Sequence, residues 1–414
     1  TRTIAMYFRH TFIAAICAAA IAATVPGCSP ANNNRTTASG TPFEAAMDSV
    51  FSFFGEEDAP GAIIIVTQGD DVVYSRSYGT ADLTTGSAVS DSTLFNLSST
   101  TKSVSTAALM KLCEEGQITL DDRLSDYFPE FPADIFSKIT VRDVLSHTSG
   151  LPDLRPRTAE EWDKYTRTNQ SIFCKREDYR LYSTDKEHVQ IFRDLTTSDY
   201  EPGTQFQRND PSYLLVAPLV ERVTGQPYFM WITKNLFEPA GVSEFCYPTA
   251  ERPLKNAAHG YRRAEGPASR AYRSPDGKWE EYDYGEVDFF LSKSERSMFC
   301  TPRDYIKWSR ALNTGKIIND SSLCLMYTPV VDSIRPNVAY GLGTALHIEE
   351  GYPLKAYHMN SNGGYTAVTA TWPGTDISYL ILSNRNDWDY RGSCAQVDSI
   401  IRANDYLSRD ARTL

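Results

Sequence analysis

The sequence predicts an α/β fold of the α+β kind, in which one antiparallel sheet takes strands from both ends of the chain. Two runs rich in β-branched and aromatic residues lie near the N-terminus, and three more lie near the C-terminus. Between them, over about residues 100–335, helical spacing predominates and no internal repeat occurs. We therefore expect a sheet of about five strands flanked by helices, with a mostly helical lobe beside it.

The N-terminal elements of this fold are a helix and a hairpin. FEAAMDSVFSFF, which begins at Phe43, has apolar residues at helical spacing. GAIIIVTQGDDVVYSRSYG, from Gly61 to Gly79, contains two strand-forming runs joined by a QGDD turn. The spacing therefore predicts a helix followed by two paired strands.

The C-terminal elements are three strands and a helix. AYHMNS, GYTAVTATWP and ISYLILSN have the composition of strands, and the intervening NGG and PGTD favour turns. From about Gly392 to Ser408, apolar residues return at helical spacing, among them Val397 and Ile401. We therefore predict that a helix follows the last strand.

The first 27 residues have the pattern of an export signal. TFIAAICAAAIAATVPG follows Arg9 and is small and apolar, and its length of about 17 residues is typical of a signal peptide and short for a membrane span. It ends in VPGCSP, which resembles the lipobox of bacterial lipoproteins. We predict a signal peptide over 1–27, a lipidated Cys28 with a tether over 28–44, and a domain over 45–410. The protein would then be lipid-anchored in a bacterial cell envelope on the periplasmic side; a signal peptide with a chance cysteine is the alternative.

Charge and cysteine content narrow the range of partners. A net charge of −11 without basic runs argues against nucleic acid. Six cysteines remain downstream of Cys28, and none has the CxxC or CxxH spacing typical of a zinc site. After export they either form disulfides or stay as buried thiols, and the spacing does not decide between the two. The oligomeric state also stays open.

LFNLSSTTKSVSTAALMKLCEEG, from Leu94 to Gly116, places a serine and a lysine at a predicted helix start. Ser99 and Lys102 are three positions apart, so their side chains should be neighbours on the helix. A serine next to a base can become a nucleophile, and a helix start offers backbone N–H groups to an oxyanion. A serine in this position is, however, more often a helix cap. The spacing alone leaves both interpretations open.

The surrounding motifs favour the catalytic interpretation. Taken in order, they resemble the class C β-lactamase-related serine hydrolases, which include penicillin-recognising DD-peptidases, D-aminopeptidases and some esterases. The resemblance covers roughly Pro60 to Asn384 and implies a β-lactamase/transpeptidase-like fold. It also implies acyl-enzyme chemistry at Ser99 with Lys102 as base, and neither a metal nor an organic cofactor. The segments that carry it are PGAIIIV, LFNLSSTTKSVSTAALMKL, GQITLDDRLSDYFPEF, ITVRDVLSHTSGLPDL, EPGTQF, LVERVTGQPY, CTPRDYIKWSRALNTGKI and YGLGT.

The second motif of the family is altered here. The family has Tyr-x-Asn shortly after PGT, and the tyrosine is its usual general base. In PGTQFQRNDPSY, Arg208 stands at the position of the tyrosine and Asp210 at that of the asparagine. Arginine stays protonated at neutral pH and cannot shuttle a proton. Either Lys102 acts alone, Tyr213 substitutes, or turnover has been lost; the apolar helical run around Tyr213 favours a packing role.

The third motif, Lys-Thr-Gly or His-x-Gly in the family, is altered as well. In YHMNSNGGYT, His358 fits the first position, but Asn360 replaces the glycine and would narrow that edge of the cleft. We assign Gly364 to the same substrate-binding edge. The resemblance implies an oxyanion hole made of the backbone N–H of Ser99 and one from the His358 strand. His147, in SHTSGLPD, belongs to a structural turn of the family and is not predicted to be a base.

These features predict an exported serine hydrolase that acts on D-amino-acid wall peptides, β-lactams or esters, with a small molecule or peptide as its partner. The rival hypothesis is a penicillin-binding-like protein that binds wall peptides or a protein partner without turnover. Arg208 supports the rival, and the intact Ser99–Lys102 pair opposes it. The segment 153–200 covers the cleft in the family. Three of its aromatic residues either line a pocket or hold the segment down: Trp162, Tyr165 and Tyr179.

Overall fold

Strands from both ends of the chain pair in one antiparallel sheet, as the sequence predicts. The strands are Ala62–Gln68 (β1), Asp71–Tyr78 (β2), Val331–Arg335 (β3), Val338–Tyr340 (β4), Ala345–His347 (β5), Lys355–Asn362 (β6), Tyr365–Trp372 (β7) and Ile377–Ser383 (β8). Their order across the sheet is β3-β4-β5-β6-β7-β8-β1-β2. The N-terminal hairpin therefore lies beside the last strand, β8.

The structure is a computed structural model, and the residues that it describes from Thr41 onward belong to one compact unit. The described residues are 40–152, 173–174, 192–208, 210–247, 254–264, 274, 276–281, 289–290 and 293–407. The predicted signal peptide, Cys28 and most of the tether lie outside them, as do Trp162, Tyr165 and Tyr179. The first helix begins at Pro42, slightly before the predicted domain start.

Within the described residues, the sheet has eight strands instead of the predicted five. The five predicted strands are confirmed as β1, β2, β6, β7 and β8. The additional strands, β3 to β5, are three to five residues long and lie at one edge of the sheet, and β3 falls inside the segment assigned to the helical lobe. Strands this short offer too few residues for an alternating pattern to stand out.

Strand β1 is buried on both faces, which explains its unbroken apolar run. Ile63 and Ile65 pack into the core shared with the helical lobe. Ile64 and Val66 point the other way, into a second core formed with the first and last helices. Successive side chains of a strand alternate between faces, so a strand covered on both sides is apolar throughout.

Helices cover both faces of the sheet. The longer ones are Pro42–Phe51 (α1), Thr101–Glu114 (α2), Val216–Thr224 (α3), Pro302–Asn313 (α4), Asp320–Met326 (α5) and Tyr390–Ala403 (α6). Helices α1 and α6 pack on each other on one face, and α2 packs on α3 within the helical lobe. Shorter helical segments are Ser52–Gly55, Ser98–Thr100, Leu124–Tyr127, Ala133–Phe136, Val141–Leu145, Asp210–Tyr213, Tyr228–Ile232, Thr233–Phe237 and Glu238–Ala240.

Short strand pairs lie outside the eight-stranded sheet. Phe299–Cys300 pairs with both Phe95–Asn96 and Phe245–Cys246, so it joins the segment before α2 to a third part of the chain. The other pairs are Thr80–Asp82 with Ser87–Ala88, Tyr261–Arg263 with Trp279–Glu281, and Phe173–Cys174 with Phe289–Phe290.

Asn384, directly after β8, joins three segments through its side chain. Its Oδ1 accepts a hydrogen bond from the Gly61 N–H at 2.7 Å. Its Nδ2 donates to the carbonyls of Ala81 and His259 at 3.0 Å and 2.9 Å. The side chain is fully buried, so these backbone groups would otherwise lose a partner away from water.

Within the described ranges, no helix is long and apolar enough to cross a membrane. No group of three or more His, Cys, Asp or Glu side chains in those ranges could hold a metal ion. Five of the six cysteines downstream of Cys28 are present as thiols, namely Cys113, Cys246, Cys300, Cys324 and Cys394.

Candidate active site

Ser99 lies in a tight 3-10 turn that leads into α2. The turn spans Ser98–Thr100, and neither it nor α2 has a side-chain cap. Ser98 has a left-handed backbone with φ +49°, a conformation that is costly for a non-glycine residue and is common at functional sites. The hydroxyl of Ser99 accepts a hydrogen bond from Lys102 and does not cap the helix. The helix-cap interpretation of Ser99 is therefore wrong.

Lys102 is buried beside Ser99. Its Nζ lies 3.1 Å from Ser99 Oγ, and the two side chains are 2% and 7% exposed, so the predicted contact is present. The ring of Tyr213 lies under the ammonium group, with Nζ 5.3 Å from the ring centroid. The lysine is thus enclosed between the hydroxyl and an aromatic face, which excludes water from the pair.

A third residue of the site, Glu295, was missed by the sequence analysis. Its carboxylate is fully buried, and Oε1 lies 3.2 Å from Lys102 Nζ. Its Oε2 accepts a hydrogen bond from Arg296 Nε. The stretch SKSERS has the composition of a solvated loop, and Glu295 is 193 positions from Lys102. No local pattern could have identified it. The absence of the family's tyrosine indicates that another base is needed, but it does not indicate where in the sequence that base lies.

Arg208 reaches across the cleft to β6. Its Nη2 donates to Asn360 Oδ1 at 2.6 Å, and Asn360 Nδ2 donates to Thr100 Oγ1 at 3.4 Å. A hydrogen-bonded chain therefore connects the altered second motif, the altered third motif and the residue next to Ser99. Asp210 is the first residue of the segment Asp210–Tyr213, and its side chain lies outside the described part of the structure.

His358 lies on β6 two residues before Asn360, and side chains two apart share one face of a strand. The residue is half-buried. This burial, together with the positive charges of Arg208 and Lys102, lowers the pKa of His358 to about 3. Both causes favour the neutral ring.

The neutral state of His358 predicts how stability depends on pH. In the unfolded chain a histidine titrates near pH 6.5, so between about pH 6.5 and 3 the unfolded state binds more protons than the folded state. The stability contributed by neutral His358 is thus fully present above about pH 6.5 and is lost as the pH falls. In urea titrations at several pH values, we expect His358→Gln to lose less stability than the wild type between pH 6.5 and 4.5. Equal losses would contradict this.

Tyr213 and His147 pack in the interior. The Tyr213 hydroxyl donates to the Leu145 carbonyl at 2.8 Å, and the side chain is fully buried. The His147 ring packs against Tyr213 and Tyr340, with centroids 5.1 Å and 5.3 Å apart. Tyr213 therefore presents its ring face to Lys102, while its hydroxyl points to a backbone carbonyl.

Gly364 lies in the turn between β6 and β7. A Cβ at this position would stand 2.1 Å from the backbone nitrogen of Tyr261 and 2.3 Å from the carbonyl carbon of Gly260. Backbone atoms cannot yield to such a contact. The requirement for glycine at this position is thus accounted for by the close approach of two chain segments.

The arrangement has the parts that acyl transfer needs. A hydroxyl lies next to an amine that can exchange protons, and both lie at the start of a helix, where backbone N–H groups can stabilise negative charge. The strand β6, which carries the third motif, is joined to this turn through the Asn360–Thr100 hydrogen bond. A carbonyl held between the turn and β6 would face both.

Comparisons with known proteins agree with this geometry. The family model described as Beta-lactamase matches residues 43–401. The chain is 25% identical over 331 residues to "Penicillin-binding protein 4*" of Bacillus subtilis strain 168, covering 79% of this chain and 66% of that protein. It is 30% identical over 198 residues to the "Putative D-alanyl-D-alanine carboxypeptidase" of Escherichia coli strain K12, covering 44% and 42%.

A solved structure shares the fold. The D-amino acid amidase from Ochrobactrum anthropi SV3, complexed with L-phenylalanine amide, matches with a TM-score of 0.68 at 23% identity, over 87% of this chain and 99% of that one. At this identity the likeness concerns the fold alone. The chain spans less than two thirds of the length of either curated relative.

Proposed function

The chain belongs to the beta-lactamase family of serine hydrolases, and from this premise we propose that it is an exported hydrolase that acts through an acyl-enzyme on amide or ester substrates. The observation that carries the proposal is the buried contact of 3.1 Å between Lys102 Nζ and Ser99 Oγ. A hydroxyl in this position is available for nucleophilic attack once the amine accepts its proton.

In the proposed mechanism, Ser99 Oγ attacks the substrate carbonyl while Lys102 accepts the proton. The backbone N–H of Ser99 and one N–H of β6 stabilise the oxyanion, an effect worth about 3 kcal/mol for a single donor in comparable sites. The leaving group departs with a proton, and water then releases the acyl group from Ser99. Apart from the substrate and this water, the steps use side chains and backbone groups of the protein.

D-amino-acid amides and peptides are the proposed substrate class, with esters next. The names of the carboxypeptidase relative and of the amidase support this order. True β-lactamase turnover is less favoured, because Arg208 and Asn360 alter both motifs that line the cleft.

A lipid anchor at Cys28, on the periplasmic side of a bacterial envelope, is proposed from the signal pattern alone.

Intact mass spectrometry of the purified chain tests the proposal. After incubation with a fluorophosphonate, an activated ester and a penicillin, we expect a covalent adduct that Ser99→Ala abolishes. Ser103→Ala is the matched control, because Ser103 is also 7% exposed and lies on the first turn of α2, and it should keep the adduct. The probe whose adduct disappears with time identifies the class that is turned over.

The second candidate function is binding of wall peptides or a protein partner without turnover. Arg208 favours it, since an arginine at the position of the family's tyrosine cannot take up a proton. The same experiment separates the two functions. No adduct with any probe, from a folded protein, would favour binding and contradict hydrolysis.

A further inference from the structure

Glu295 faces the Ser99–Lys102 pair from the lobe side. Lys102 Nζ lies between two oxygens, Ser99 Oγ at 3.1 Å and Glu295 Oε1 at 3.2 Å. Lys102 and Glu295 are 2% and 0% exposed, so bulk water does not compete for either contact. The nitrogen of Lys102 therefore bridges the hydroxyl and the carboxylate.

The contact between Lys102 and Glu295 matters for catalysis because of the chemistry of an ammonium group. A protonated lysine has three donors and no lone pair, so it cannot accept the proton of Ser99. Lys102 therefore either stays an ammonium group and blocks the reaction, or passes one of its own protons to Glu295 as it accepts one from Ser99.

We propose that Glu295 is the terminal base of a proton relay through Lys102, and that it replaces the proton acceptor which the family has at the position of Arg208. As Ser99 Oγ bonds to the carbonyl carbon, its proton passes to Lys102 Nζ, an Nζ proton passes to Glu295 Oε1, and the C=O electron pair moves to oxygen. When the bond to the leaving group breaks, Glu295 returns its proton to Nζ, and Nζ protonates the leaving group. Total charge is conserved at each step.

The segment that carries Glu295 is held on both sides. Ser294 Oγ donates to the Tyr213 carbonyl at 2.6 Å, and the Ser294 carbonyl accepts from Ser105 Oγ at 2.6 Å. Ser105 lies on α2, three residues after Lys102. The carboxylate is therefore fixed relative to the helix that carries the lysine, as a proton relay requires.

Among the described residues, charged and titratable groups face this pair from three elements. Arg296, on the same segment, donates to Glu295 Oε2. Tyr213, from the helical segment Asp210–Tyr213, presents its ring to Lys102. His358 on β6 is neutral at pH 7 and adds no charge.

Glu295→Gln in the full chain tests the relay, because glutamine keeps the shape but cannot accept the proton. With an activated ester, we expect kcat to fall about 100-fold with little change in KM. The rate in mixtures of H₂O and D₂O should also change from a curved to a straight dependence, since the Ser99 proton alone then moves to Lys102. A purely structural role would not straighten this dependence. Glu280→Gln, which neutralises another buried, ion-paired glutamate, should leave the rate unchanged.

Whether kcat falls or rises in Glu295→Gln decides whether the relay holds. A rate in Glu295→Gln equal to or above the wild-type rate would overturn the relay, because Glu295 would then only hold Lys102 in its charged form. If the variant does not fold, the wild-type rate in mixtures of H₂O and D₂O serves instead: two moving protons give a curved dependence, and a straight line overturns the relay.

The inference rests on the proposed function. A wild type without a Ser99 adduct overturns both, whereas an adduct with an unimpaired Glu295→Gln overturns the relay alone.

Discussion

Replacing Lys102 by alanine is expected to remove almost all turnover and a large part of the stability. The amine is the group within 3.1 Å of Ser99 Oγ that can exchange its proton, so kcat/KM should fall by about 10³-fold or more. The same change leaves the Glu295 carboxylate in the interior without its ammonium partner. Breaking a buried ion pair in this way typically costs about 3–5 kcal/mol of unfolding free energy.

The two effects of Lys102→Ala can be separated with a second substitution. In the double variant Lys102→Ala/Glu295→Gln a neutral amide replaces the buried carboxylate, so the free energy of unfolding measured in urea should recover in large part while turnover stays lost. Lys111→Ala, on the last turn of the same helix and partly exposed, is the control and should change stability by no more than about 0.5 kcal/mol. A Lys102→Ala protein within tenfold of the wild-type kcat/KM would refute the role of the lysine.

The parts of the fold that sequence could predict are those with strong local patterns. The run AIIIV in β1 and the turn after it predicted the hairpin, and the three C-terminal strands had clear turn boundaries. The family resemblance is confirmed by the match over residues 43–401. Strands β3 to β5 were missed because each is too short to show a period.

The candidate site was only partly predictable for a similar reason. Ser99 and Lys102 are three residues apart, so helical geometry alone predicts their contact. Glu295 comes from a charged stretch 193 positions away, where composition favours a solvated loop. Its burial follows from the Phe95–Asn96 pairing with Phe299–Cys300 just after it, a tertiary contact that no local pattern encodes. The long-range strand pairing thus places the Glu295 charge in the site, whereas the contact of Ser99 with Lys102 follows from the local helix.

Gly61, directly before β1, is a glycine whose structural role the sequence does not reveal. It follows Pro60, and its backbone is not left-handed. A Cβ on Gly61 would stand 1.8 Å from the Tyr78 carbonyl oxygen and 2.7 Å from its carbon. Both atoms belong to the backbone of β2, so the two strands would have to separate. The glycine is therefore required by close packing of two strands rather than by its own conformation.

Gly61→Ala is accordingly expected to lower the unfolding free energy by about 3 kcal/mol or more. The displacement would also stretch the hydrogen bond from the Gly61 N–H to Asn384 Oδ1, and with it the junction that Asn384 makes to Ala81 and His259. Gly55→Ala is the matched control, because Gly55 also lies outside the left-handed region and a Cβ there meets no atom within 4 Å. Urea denaturation of the two variants measures the difference. If both alanines change the free energy of unfolding equally, the strand contact at Gly61 carries no special weight.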